Sequence, residues 1–185
     1  MGGTGEIAIV VEKADYPEIS VVVVKPTDYG EFGYLSVDGE LADSEVTVTV
    51  PENNGVVKEI RATESGFEVE ALNAGTVIVT VVAHDTTGNY KDGMTTYELT
   101  VAPATLKAEW IGWAEGVTGE ETYTGEALIP NVVVKKESVT LVQGEDFTVE
   151  YSNNTDAYEY VPGQEGFETA AAPVATIIGK GNYAG

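Results

Sequence analysis

Along most of this chain apolar and polar residues alternate one by one, and no window sustains the three-and-four spacing of an amphipathic helix. Residues 45–50, Glu-Val-Thr-Val-Thr-Val, are the plainest case: Val46, Val48 and Val50 share one face, the polar residues the other. β-branched residues dominate such runs, as a pleated, half-buried surface favours. The pattern predicts strands over 7–11, 19–24, 32–37, 45–50, 56–62, 67–72, 76–83 and 94–101, with turns at Asp38-Gly39, Asn53-Asn54-Gly55 and Ser65-Gly66 between them. The second run is apolar throughout, which implies burial on both sides or a strand that passes between sheets. Pro26 ends it, because proline gives the ladder no N–H. Short strands at this spacing argue for a β-sandwich.

A break follows at Ala102-Pro103-Ala104 and divides the chain into residues 1–103 and 104–185. Further on, strands are predicted through Trp110, at 131–135, at Leu141-Val142, at 146–151 and at 170–178, with a turn at Glu137-Ser138. In 146–151 Phe147, Val149 and Tyr151 share a face, and Asn153-Asn154 closes the run with turn chemistry. Residues 156–169 make a long connection that carries Tyr158, Tyr160 and Phe167. Long loops in compact domains often carry recognition, so these three aromatics are candidate binding residues. The plainer reading is a tolerated insertion with no partner.

Two stretches carry a family resemblance. Tyr123-Thr124-Gly125, Pro130, Gly144-Glu145-Asp146-Phe147-Thr148-Val149, Tyr151-Ser152-Asn153-Asn154 and Gly179-Lys180-Gly181-Asn182-Tyr183-Ala184-Gly185 follow one another in the order of an immunoglobulin-like repeat module of bacterial cell-surface proteins. The segment 67–81, with Asn73-Ala74-Gly75-Thr76 leading into alternating Ile/Val and Thr, resembles the group-2 bacterial immunoglobulin-like module. Gly75 is expected to supply a positive φ at that hairpin. The resemblance implies an all-β chain of two immunoglobulin-like β-sandwiches in tandem. It also implies a non-catalytic, secreted or cell-surface protein serving as spacer or adhesion segment. Its partners would be neighbouring domains of the same protein and a host protein or glycan. The repeats continue past their Gly-Asn-Tyr-x-Gly turn into one more strand. The second module is therefore expected to lack its last strand and to be the less stable.

Length and charge narrow the classes. At 185 residues the chain suits two domains of about 100 residues or fewer, each able to bury a core without metal or disulfide. No cysteine is present. Nine basic residues against 31 acidic ones give a net charge of −22, which repels nucleic acid and anionic lipid. Solubility accounts for the acid most simply; the sharper reading is divalent-cation binding, with calcium the ion for clustered carboxylates. No apolar run reaches the roughly 18 residues of a membrane-spanning helix, so no membrane insertion is expected. Residues 1–5 do not form a signal peptide.

Chemistry is sparse. His84 stands alone, and neither a metal site nor a Ser-His-Asp arrangement is marked around it. Residues 85–93, Asp-Thr-Thr-Gly-Asn-Tyr-Lys-Asp-Gly, offer oxygen ligands but lack the closing glutamate of a calcium loop, and read as a hairpin turn. Trp110 and Trp113 are candidate sugar-stacking residues or, more plainly, packing residues. They support one alternative class, an accessory carbohydrate-binding module of a secreted glycan-active enzyme; a phage virion decoration module is a further alternative, since phages use the same immunoglobulin-like folds. Lys25, Lys135 and Lys136 adjoin predicted strands and are the lysines open to an isopeptide crosslink of the kind some surface modules carry. No enzyme activity is expected.

Overall fold

The computed structural model describes residues 7–41, 43–158 and 172–185 and divides into two compact units, Met1–Val101 and Ala102–Gly185. Among the described residues the chain is built from strands, with two single-turn 3-10 helices. The fold is all-β.

In the first unit the strands are β1 (Ser20–Lys25), β2 (Thr27–Asp28), β3 (Phe32–Asp38), β4 (Ser44–Thr49), β5 (Val57–Thr63), β6 (Gly66–Ala71), β7 (Gly75–Asp85) and β8 (Gly93–Ala102). They form two four-stranded sheets, ordered β1-β3-β6-β5 and β2-β8-β7-β4. β7 shows how the alternation is spent: Val77, Val79, Val81 and Ala83 are buried, while Thr76, Ile78 and His84 face water. Opposite them the other sheet contributes Leu35, Val57 and Val69 to the same apolar cluster, and Ile19 joins it. Val69 and Val79 are wholly out of water, and each such side chain contributes about 2 kcal/mol by transfer from water. Gly75 does adopt a positive φ, 147°, where β7 begins.

The run 19–24 behaves differently from the doubly buried strand its composition implies. β1 is an edge strand, and Val22, Val23 and Val24 stay partly exposed. The passage between sheets comes after Pro26, where β2 joins β8 in the second sheet. The strand expected over 7–11 does not form. Ile7, Ile9, Val10 and Val11 are 83–90% exposed, and no described strand lies beside them. Period-two alternation yields a strand only where a ladder can take up the backbone groups.

In the second unit the strands are β9 (Ile111–Trp113), β10 (Val132–Lys136), β11 (Val139–Thr140), β12 (Phe147–Ser152) and β13 (Val174–Gly179). They form a β11-β10-β9 sheet and a β12-β13 pair, and short 3-10 turns span Ala108–Trp110 and Gly181–Tyr183. Val132, Val134, Leu141, Phe147, Ala172 and Tyr183 are buried. Instead of a strand through Trp110, the Trp110 N–H donates to the Lys107 carbonyl at 2.9 Å and closes a turn, after which β9 begins. The strand expected at Leu141-Val142 lies two residues earlier, as β11, because Glu137-Ser138 makes a two-residue turn with Glu137 at φ 53°. Among the described residues no helix is long and apolar enough to cross a membrane.

Candidate functional site

The motif residues of the second unit are engaged in holding backbone. Tyr151, on β12, donates its hydroxyl to the Pro130 carbonyl at 2.5 Å, and burial raises its pKa. Asn154 ties the same segment a second time. Its side-chain amide donates to the Leu128 carbonyl at 2.8 Å, and its own carbonyl accepts the Leu128 N–H at 2.8 Å. Asn153 takes a left-handed φ of 54° and donates to the Ala172 carbonyl at 3.1 Å. Asn tolerates that conformation better than other side chains, which explains an asparagine there.

The Gly144-Glu145-Asp146 turn works the same way. Gly144 has φ 95°, and the Asp146 carboxylate accepts the Val142 N–H at 2.8 Å. The Asp146 carbonyl accepts the N–H of Lys180 at 2.7 Å, linking this turn to the end of β13. A Cβ on Gly179 would overlap the Tyr183 carbonyl, so glycine is what lets the Gly181–Tyr183 turn close against β13 and bury Tyr183.

The candidate aromatic residues fall in three places. Trp110 is half-buried and Trp113 is 43% exposed. Gly119, at φ 76°, lies against the Trp113 indole, so the following loop packs on that ring. Tyr158 is half-buried. Tyr160 and Phe167 lie outside the described residues, as does most of the segment 156–169. The sequence reading missed the company Trp110 keeps. The ammonium groups of Lys107 and Lys136 stand 5.6 and 5.5 Å from its ring centroid. Cations at that distance are attracted by the indole face. Lys136 lies two residues beyond Val134, which pairs with Ile111, so β9–β10 register rather than sequence proximity brings it to Trp110. In the first unit, by contrast, Lys25, Lys58, Arg61 and Lys91 each pair with a carboxylate.

In the first unit residues 86–92 form the hairpin connection between β7 and β8. Asp85 is buried at its base and accepts the Tyr90 N–H at 2.8 Å, the Thr87 N–H at 3.0 Å and the Thr87 hydroxyl at 2.7 Å. These donors, the Tyr90 N–H foremost, hold its pKa down at about 2. The oxygen that looked like a ligand is thus saturated by its own turn. His84 is exposed and stands 2.7 Å from Asp92 across the hairpin. No group of three or more His, Asp or Glu placed to hold a metal occurs among the described residues. Of the crosslink lysines, Lys25 pairs with Glu31 at 3.1 Å, Lys135 is exposed, and Lys136 lies over Trp110.

No family profile, curated protein or solved structure matches this chain.

Proposed function

We propose that this chain is a non-catalytic building block of a bacterial cell-surface protein, with two immunoglobulin-like β-sandwich units acting as spacer or adhesion segment outside the cell. One observation carries the reading. The ordered residues on which the family resemblance rests (Pro130, Asp146, Tyr151, Asn153, Asn154, Gly179 and Tyr183) make backbone ties and close packing contacts. Residues used in that way specify a scaffold, and a scaffold repeated in a chain sets distance and presentation. Neighbouring domains of the same protein are its first partners, and a host protein or glycan is the partner of the assembled stalk. Protease treatment of intact cells that make the native protein should release peptides of this chain. Peptides appearing only after lysis would end the surface reading.

A carbohydrate-binding role is the second reading, favoured by the exposed Trp113 indole and the lysine-flanked Trp110. Glycan-array binding that is lost in Trp113→Ala and Trp110→Ala would establish it over the spacer role.

A further inference from the structure

Positive charge is scarce in this chain, and the second unit gathers part of its share at one indole. The basic residues of that unit are Lys107, Lys135, Lys136 and Lys180. Lys180 donates to the Gly144 carbonyl. Lys107 and Lys136 turn instead to Trp110, and neither ammonium lies within ion-pair distance of a described carboxylate. That holds even though Glu109 and Glu137 stand close to them in sequence. Two like charges drawn to one ring repel each other, and the indole face offsets only part of that repulsion. An anion placed between them is attracted by both.

Strand register sets what lies beside them. Trp113 pairs with Val132 and Ile111 with Val134, so these four side chains project from one face of the β9–β10 pair. Lys136, two residues beyond Val134 on the same strand, projects from that face too. Val132 and Val134 are buried, whereas Ile111 and Trp113 are 36% and 43% exposed. The result is a partly exposed apolar strip, from Trp113 to Ile111, that ends at two ammonium groups. From Trp110 to Trp113 the backbone spans at most about 10 Å. A mostly apolar surface with a few convergent polar groups is the usual composition of a ligand site.

Building on the carbohydrate-binding reading, we propose that this strip holds a glycan ended by one carboxylate-bearing sugar. The carboxylate lies between Lys107 and Lys136, and the neutral sugars behind it pack their C–H faces on Ile111 and Trp113. Trp110 is a positioning residue that holds the two ammonium groups at the end of the strip. The ligand carries a single charge because the chain's net charge of −22 opposes polyanions as a whole. The two ammonium groups act locally, within about 8 Å at physiological ionic strength. A neutral glycan with one acidic end meets both conditions, whereas an acidic peptide brings several charges and no ring faces.

The indole N–H resonances of the whole labelled chain test this, since its two tryptophans give two signals. The probes are oligosaccharides ended by sialic acid or by glucuronic acid, each beside its methyl ester, which keeps the rings and removes the charge. At least one acid should shift both signals, bind about tenfold or more tightly than its ester, and weaken as salt rises. Lys107→Gln and Lys136→Gln should each remove most of that preference and leave binding of the ester unchanged. Lys58→Gln, in the first unit, should change neither. Dispersed amide spectra of the variants separate these losses from unfolding. Esters that bind as well as their acids would overturn the proposal and leave the carbohydrate-binding reading standing. No shift with any sugar would overturn both. Larger shifts with a glutamate-rich peptide than with the sugars would assign the site to a protein partner and overturn the glycan.

Discussion

At the residue scale, two positions show how little freedom the chain leaves. Asp85 holds its charge because three donors of its own turn converge on it. Its pKa is about 2 in the folded chain against an ordinary 3.8, so folding favours the ionised form. The sign follows from linkage: the contribution is full above pH 4 or so and is lost as the pH falls toward about 2. Asp85→Asn should therefore lower the melting temperature of the first unit near neutrality and flatten its decline with acid, as seen by circular dichroism from pH 7 to pH 2. A parallel acid decline in both proteins would show that other carboxylates dominate. Gly179 is constrained by space instead of charge. Gly179→Ala sets a methyl against the Tyr183 carbonyl and should cost the second unit about 2–3 kcal/mol, measured by urea unfolding.

At the element scale, the second unit depends on ties between a strand and a segment that has none. Residues 128–130 are held to β12 and its following turn by Tyr151 and Asn154. Tyr151→Phe removes one tie while keeping the ring, and should cost about 1 kcal/mol. Asn154→Ala removes one hydrogen bond and leaves the Leu128 carbonyl unmet, and should cost about 1–2 kcal/mol. Faster amide exchange at Leu128 in Asn154→Ala, with β12 itself still protected, would identify the tie as local; uniform loss of protection would contradict it. These elements also show what the sequence could convey. β3 to β8 and β10, β12 and β13 were legible within a residue or two, apart from the start of β13, because one buried face imposes strict alternation. The turns at Glu137-Ser138 and Asn153-Asn154 were legible from residue type. The state of residues 7–11 was not, because alternation states a preference and only a partner strand satisfies it. The lysines around Trp110 were equally hidden, since Lys136 arrives there through the register of β9 with β10.

At the scale of the whole molecule, the question is whether the two units melt as one. The first unit sets two four-stranded sheets around a single apolar cluster of nine buried residues. The second, among its described residues, has a three-stranded sheet and a two-stranded pair. A two-stranded pair is marginal in water unless packed against other elements, so the second unit rests on fewer mutually supporting ladders. Each unit is of a size that unfolds in one step, and calorimetry of the whole chain should show two transitions, the lower from the second unit. Val69→Ala opens a cavity in the first core and should cost that unit about 2–3 kcal/mol, moving the upper transition alone. Phe147→Ala should move the lower one alone, by a larger amount, since Phe147 is the largest wholly buried side chain among the described residues. Residues 1–101 prepared by themselves should keep dispersed amide resonances and the upper melting temperature. If both substitutions shift one common transition, or if 1–101 unfolds when cut away, the units share their stability. Val101 would then divide the contacts of the chain without dividing its cooperativity.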